Sequence, residues 1–220
     1  MRAMILAAGL GTRMGTLTDT MPKPLLRAGG KPLLQYHLEA LARSGFRDVV
    51  INHSRFGAQI EARFGSGQVF GLNIQYSAEG EAPLETAGGI RQALPLIGQD
   101  PFLVVNADVW TDFDLACLHQ RTPVAAHLVL VPNPDHHPQG DFGLVGSQVV
   151  GLPQWTYSGI AVFQPRLFQH LKPGRAPLAP LLREAIGQGT VTGELFTGRW
   201  FDIGTVERLN HLDQALKSKI

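Results

Sequence analysis

A short apolar run that ends in glycines constrains this chain more than any other feature. Leu6-Ala7-Ala8-Gly9-Leu10-Gly11-Thr12-Arg13 reads as a strand running straight into a tight turn. Such a turn aims backbone N–H groups out of one sheet edge, where they can face an anion. Glycines at 9 and 11 also let a bulky phosphate approach without a Cβ in its way. From here on, short apolar runs alternate with helical patterns, which predicts an α/β chain with a largely parallel sheet. Strands are expected at about Ala3–Ala7, Asp48–Asn52, Leu72–Tyr76, Phe102–Asn106, Val124–Val131 and Ser158–Phe163. Helices are expected after Pro32 (Leu34, Leu38 and Leu41 on one face, ending at Gly45), through Phe56, Ile60 and Phe64, from near Thr86, and over Leu178–Ile186 and Val206–Leu216. Phe142–Val145 and Gln148–Val150 look like a small antiparallel insertion. With no repeat, linker or low-complexity stretch, residues 1–220 are expected to form a single domain, a Rossmann-like mixed sheet flanked by helices.

Charge and cysteine content narrow the function classes. The 220 residues carry 19 Lys+Arg against 18 Asp+Glu, with the basic residues scattered. Neither a nucleic-acid partner nor a polybasic membrane anchor is expected from that balance. No run is long enough for a membrane-spanning helix, and the N-terminal apolar stretch is too short for a signal peptide. A single cysteine, Cys117, excludes an internal disulfide and fits a cytoplasmic chain. Its neighbours Phe113, Ala116 and Leu118 suggest a small core residue.

The glycine loop does not match two better-known phosphate loops. There is no G-x-x-x-x-G-K-[ST]. A dinucleotide fingerprint would need a third glycine at position 14 and an acidic residue ending the second strand; the chain has Met14 and Asn52-His53 there. What it has instead is Pro22-Lys23-Pro24, ten residues past Arg13, where flanking prolines would present Lys23 in a fixed direction. Backbone donors, an arginine and a held lysine make a triphosphate cradle. Asp108 follows the fourth strand at the sheet edge where ligands bind. Asn106, two residues earlier, shares its face if the strand persists, and an amide there suits an N-acetyl or hydroxyl group.

The two segments Leu-Ala-Ala-Gly-x-Gly-Thr-Arg-Met and Pro-Lys-Pro-Leu together resemble the sugar-1-phosphate nucleotidylyltransferases. The resemblance extends to Leu84–Gly89, Asn106-Ala107-Asp108, Tyr157-Ser158-Gly159 and Trp200–Thr205, and so covers most of the chain. It implies an enzyme that condenses a nucleoside triphosphate with a sugar 1-phosphate and depends on Mg²⁺. By the same resemblance Asp108 and Asp202 are the metal carboxylates. Gly9, Gly11, Thr12, Arg13 and Lys23 hold the phosphates, with Arg13, Lys23 and Asp108 catalytic. Glu79 and Gly88 belong to the base-recognition loop, where a carboxylate could accept uracil N3–H or guanine N1–H. Asn106, Asp141, Gly143, Ser158 and Gly159 lie on the sugar side. The chain departs from the family at Glu85, where Leu-Gly-Thr is common, and at Gly15-Thr16.

No acidic residue lies between Leu144 and Thr156, where many relatives place a glutamate on the hexose. That absence suits an acceptor that itself carries a carboxylate. The strings Glu79–Thr86, Asn106–Asp112, Asn133–His137 and Gly140–Phe142 most resemble the branch of the family that uses UTP and N-acetylmuramate 1-phosphate in peptidoglycan recycling. Other outcomes are a mannose-1-phosphate guanylyltransferase or a catalytically silent sugar-nucleotide-binding subunit; four retained charges, Arg13, Lys23, Asp108 and Asp202, argue against silence. The length leaves no room for an appended acyltransferase or β-helix module, so a monofunctional enzyme is expected. His136-His137 is expected to be a polar loop near the sugar entrance, and Trp110, Trp155 and Trp200 core or pocket-wall residues.

Overall fold

The structure, a computed structural model, describes residues 1–218. In chain order its strands and α-helices are β1 (Arg2–Leu6), β2 (Arg27–Ala28), β3 (Lys31–Pro32), α1 (Leu33–Arg43), β4 (Asp48–His53), α2 (Gly57–Phe64), β5 (Asn73–Ala78) and α3 (Glu85–Ile97). Then come β6 (Phe102–Asn106), β7 (Val109–Thr111), β8 (Ala126–Val131), β9 (Phe142–Val145), β10 (Gln148–Phe163), α4 (Arg166–Gln169), α5 (Leu178–Gly187), β11 (Val191–Leu195), β12 (Trp200–Asp202) and α6 (Val206–Lys217).

The main sheet runs β11-β8-β10-β6-β1-β4-β5, with β9 added alongside β10. β1 pairs in parallel with both β4 and β6, and β4 with β5. β10 runs antiparallel between β6 and β8. Alternation along the strands explains why both faces are covered. Ala3, Ile5, Val49, Ile51, Leu103 and Val105 join α1 and α2 in one core cluster. Met4, Val50, Phe102 and Val104 turn the other way and meet α3 and α5. A third cluster, around Met14, Leu33, Trp110, Ile203 and Leu212, packs the glycine loop and α6 against the start of α1. The expected α/β fold, a mixed and mostly parallel sheet flanked by helices with a small antiparallel insertion, is what forms.

Three features differ from the sequence expectations. The segments 148–150 and 158–163 are one strand, β10, bent by register shifts after Val150 and after Tyr157. The intervening Gly151-Leu152-Pro153 mimics a break, yet a bulged edge tolerates it. Short strands β7, β11 and β12 were not anticipated; β7 and β12 form a two-stranded ribbon outside the main sheet. Cys117 is exposed, because the single turn Leu115–Leu118 buries Leu115 and Leu118 instead. Its thiol pKa is raised, first by partial desolvation and then by the nearby Glu194 carboxylate, which works against a thiolate nucleophile.

The topology also sets where a ligand can bind. The chain passes β1, β4 and β5 in one direction and returns to β6 on the other side of β1. The carboxyl ends of β1 and β6 therefore diverge at a switch point and leave a crevice between their loops.

Candidate active site

An open cleft of about 300 Å³ lies at that switch point. It is lined by the glycine loop from Leu6 to Arg13, by Lys23 and Pro24, by Asn52, Glu79 and residues 83, 85 and 86, by Asn106–Asp108, and by Gly204. Its size suits a small-molecule site.

The loop after β1 is built around two differently used glycines. Gly11 has φ +65, and a Cβ there would meet Thr18 Cγ2 at 3.0 Å and Lys23 Cβ at 3.1 Å. It thus lets the loop close down onto the lysine segment. A Cβ on Gly9 would meet nothing within 4 Å, so this glycine faces open space in the cleft. The Thr18 hydroxyl donates to the carbonyls of Gly11 (3.1 Å) and Gly15 (3.2 Å) and ties the loop off. Arg13 is exposed and makes no ion pair among the described residues.

Lys23 is held as its flanking prolines suggest. Pro22 is extended, a single 3-10 turn follows, and the lysine side chain is only 9% exposed. Its Nζ donates to Asp108 Oδ2 at 2.7 Å. Asp108 itself is half open to solvent. The backbone carbonyl of Asp108 accepts from Ile203 N at 2.7 Å, and β7 pairs with β12 so that Val109 faces Asp202. The two carboxylates therefore leave neighbouring strands of one ribbon. Asp202, however, does not line the cleft; it is bound by the Arg208 guanidinium and lies 3.4 Å from His136 Nε2. The structure thus brings Asp108 but not Asp202 to the cleft wall, one open carboxylate of the kind that suits Mg²⁺, which usually takes few protein ligands and fills its shell with phosphate oxygens and water.

At the end of β4, Asn52 performs a role that its sequence position did not reveal. Its Oδ1 accepts from Ala7 N (2.8 Å), and its Nδ2 donates to Glu79 Oε1 (2.6 Å). Glu79 Oε2 in turn accepts from Leu84 N at 2.6 Å. The ends of β1, β4 and β5 and the start of α3 are thereby linked through one amide and one carboxylate. Both Glu79 oxygens are engaged in shaping the cleft wall. Gly88 is also committed: its N–H donates to Ala176 O at 3.1 Å, and a Cβ would sit 2.4 Å from Gly174 O. The glycine admits the 174–176 backbone, not a base edge. A methyl at Gly89 would lie 2.2 Å from Glu79 Oε1 and 2.8 Å from Asn52 Nδ2. Gly89→Ala is expected to lower Tm by roughly 3–8 °C through overpacking and to raise the KM for nucleotide. An unchanged melting curve would mean that Glu79 is free to move and does not brace the wall.

The residues expected on the sugar side divide. Asn106 lines the cleft. Gly159, at φ +81, makes room for it: a Cβ there would lie 2.8 Å from Asn106 Nδ2. Ser158 is buried, donates to Val129 O (2.7 Å) and accepts from Ile160 N (3.1 Å), so its hydroxyl serves the β10 bulge. Gly143 lies under the hairpin, with a Cβ 2.9 Å from Leu152 O. Asp141 is exposed; it accepts from Tyr157 N at 2.8 Å and pairs with His137 at 3.1 Å. Since His136 reaches Asp202 and His137 reaches Asp141, the two side chains of that turn serve different loops, as expected of a polar loop. Trp110 packs in the third cluster, and Trp200 donates its indole N–H to Ser158 O at 2.9 Å. Asn52, Arg175 and Arg208 are the site-shaping residues that no local motif announced.

The sequence matches the family described as Nucleotidyl transferase over residues 2–219. It is 50% identical to a Neisseria meningitidis protein named N-acetylmuramate alpha-1-phosphate uridylyltransferase, over 98% of this chain and 98% of that protein. A Caulobacter vibrioides protein of the same name is 32% identical over 92% of this chain and 91% of its own length. A Mycobacterium tuberculosis protein named mannose-1-phosphate guanylyltransferase is 33% identical over 93% of this chain, which spans only 61% of it. Among solved structures, a putative glucose-1-phosphate thymidylyltransferase from Bacillus anthracis superposes with a TM-score of 0.87 at 20% identity, covering 99% of this chain and 96% of that one. A UDP-glucose pyrophosphorylase complexed with UDP-glucose gives a TM-score of 0.81 at 20% identity, covering 100% of this chain and 99% of that one. At that identity the likeness concerns the fold.

Proposed function

The chain belongs to the nucleotidyl transferase family, and on that premise we propose that it transfers UMP from UTP to N-acetylmuramate α-1-phosphate, giving UDP-N-acetylmuramate and pyrophosphate. One observation carries the choice of substrates: 50% identity over nearly the full length of both chains to a protein of that name. The setting is cell-wall recycling in the cytoplasm. No helix among the described residues is long and apolar enough to cross a membrane.

The chemistry needs little covalent help from the protein. A phosphate oxygen of the sugar 1-phosphate attacks the α-phosphorus in line. A new P–O bond forms there as the bond from the α-phosphorus to the bridging oxygen of pyrophosphate breaks. Positioning and charge neutralisation supply most of the acceleration. Lys23, held near Asp108, serves the α-phosphate and the incoming sugar phosphate. Arg13, exposed on the loop and without an ion-pair partner among the described residues, serves the departing pyrophosphate. The backbone N–H groups of Gly9 to Arg13 cradle the triphosphate, and Asn106 faces the sugar. Asp108, with Asp202 once it is released from Arg208, would hold a Mg²⁺ ion, which when bound would offset phosphate charge.

Pyrophosphate release should be measured for UTP, GTP, CTP and ATP against muramate, mannose and N-acetylglucosamine 1-phosphates. UTP with the muramate substrate is expected to win; GTP with mannose 1-phosphate as the best pair would overturn the proposal. Chelation with EDTA is expected to stop turnover and Mg²⁺ to restore it, and full activity in EDTA would remove the metal from the reaction.

A further inference from the structure

Glu85 opens α3 with φ +61, in the left-handed region that disfavours a side chain. Among the described residues only Phe56 shares that departure outside glycine. A backbone held this way needs surrounding structure to fix it, and a segment from far along the chain provides it. Ala176 N donates to Leu84 O at 2.9 Å, and Ala176 O accepts from Ala87 N (3.0 Å) and Gly88 N (3.1 Å). Arg175, on the same segment, reaches across so that Nη2 lies 2.8 Å from Glu85 Oε1.

The acidic residues of this loop are not equivalent. Glu79 has both oxygens engaged by Asn52 and Leu84 N, and Glu81 is exposed and outside the cleft lining. Glu85 lines the cleft, and its Oε2 has no partner among the described residues. It is the one carboxylate of the loop with an oxygen left to offer there. A free carboxylate oxygen accepts a hydrogen bond and donates none. Uracil presents a ring N3–H. Cytosine presents a lone pair at N3, and adenine one at N1, so either would set acceptor against acceptor. Guanine N1–H would be accepted.

We propose that Glu85 reads the base, accepting the ring N–H through Oε2, and that Arg175 is a positioning residue that fixes the carboxylate in its strained place. The assignment rests on the uridylyl-transfer reading above and extends it to the residue that rejects CTP and ATP.

The test compares kcat/KM and calorimetric binding for UTP and CTP in the wild type and in Glu85→Gly, Glu85→Gln, Arg175→Ala and Arg175→Lys. The wild type is expected to favour UTP by about a hundredfold or more, since a site built to accept a hydrogen bond rejects a ligand that lacks the donor. Glycine takes positive φ freely, so Glu85→Gly should melt at or above the wild-type temperature. Its UTP-to-CTP ratio should fall by at least about tenfold, the range for one hydrogen bond to a charged group. Glu85→Gln, whose amide can turn either an oxygen or an NH₂ to the base, should lower the ratio as well and serves if the glycine variant does not fold. Arg175→Ala should raise the KM for UTP with kcat little changed, and Arg175→Lys should recover part of that loss. A wild type that prefers another nucleotide overturns the uridylyl-transfer reading and this assignment with it. A wild type that prefers UTP, with Glu85 variants that keep the same ratio, overturns this assignment alone.

Discussion

Asp108→Asn is expected to lower kcat by about a thousandfold, the upper range for removing one designed charge contact at a reacting centre. The change keeps shape and removes charge. The asparagine carbonyl can still accept from Lys23 Nζ, which lies 2.7 Å from the native carboxylate, so the lysine stays partnered. The Asp108 side chain is 44% exposed, and pairs of that exposure contribute roughly 1 kcal/mol or less to stability. Tm should therefore move by only about 2–4 °C. Loss of activity with an intact melting transition, together with weaker Mn²⁺ binding by calorimetry, would assign Asp108 to the metal. Turnover within tenfold of wild type would remove it.

Lys23→Ala should cost about 3–4 kcal/mol in the barrier, a few hundredfold in kcat. Its effect should fall mainly on kcat, because a cation placed where charge develops acts on the transition state more than on the bound substrate. The lysine is 9% exposed and sits between two prolines, so little else can move in to replace it. Its removal leaves Asp108 free to be solvated, and the fold should survive. Single-turnover rates separate this from slow product release. A near-normal rate would show that the lysine holds the aspartate in the resting chain and does nothing for the phosphates.

The parts legible in the sequence are those written locally. Short continuous apolar runs over Arg2–Leu6 and Phe102–Asn106, and a period near 3.6 after Pro32, place the strands and the first helix. The glycine loop, Lys23 and Asp108 sit in motifs whose spacing carries their direction, and the cleft brings them together. What was not legible depends on residues brought together by topology. Asn52 meets the loop 45 positions before it through Ala7 N. Arg175 lies 90 positions after Glu85, and Arg208 meets His136 across 72. No periodicity links such pairs; strand order does. Ser158 and Gly88 are hard to assign from sequence for a related reason. A small residue in a functional motif can serve either a ligand or a neighbouring backbone, and here each is covered by backbone. The single long β10 was read as two strands because local composition reports Gly and Pro, while a bulge that absorbs them is set by the partner strand.

The pairing of Lys23 with Asp108 and of Arg208 with Asp202 has one more consequence. Each of these charges already holds a counterion, one pair on the cleft wall and the other outside its lining, so none of the four is bare before anything enters. On the proposed reaction, an arriving nucleotide and its magnesium would trade partners with these pairs, phosphates taking the cations and metal taking the carboxylates. Admission becomes an ion exchange, and nucleotide or metal arriving alone would strand half of the exchanged charges.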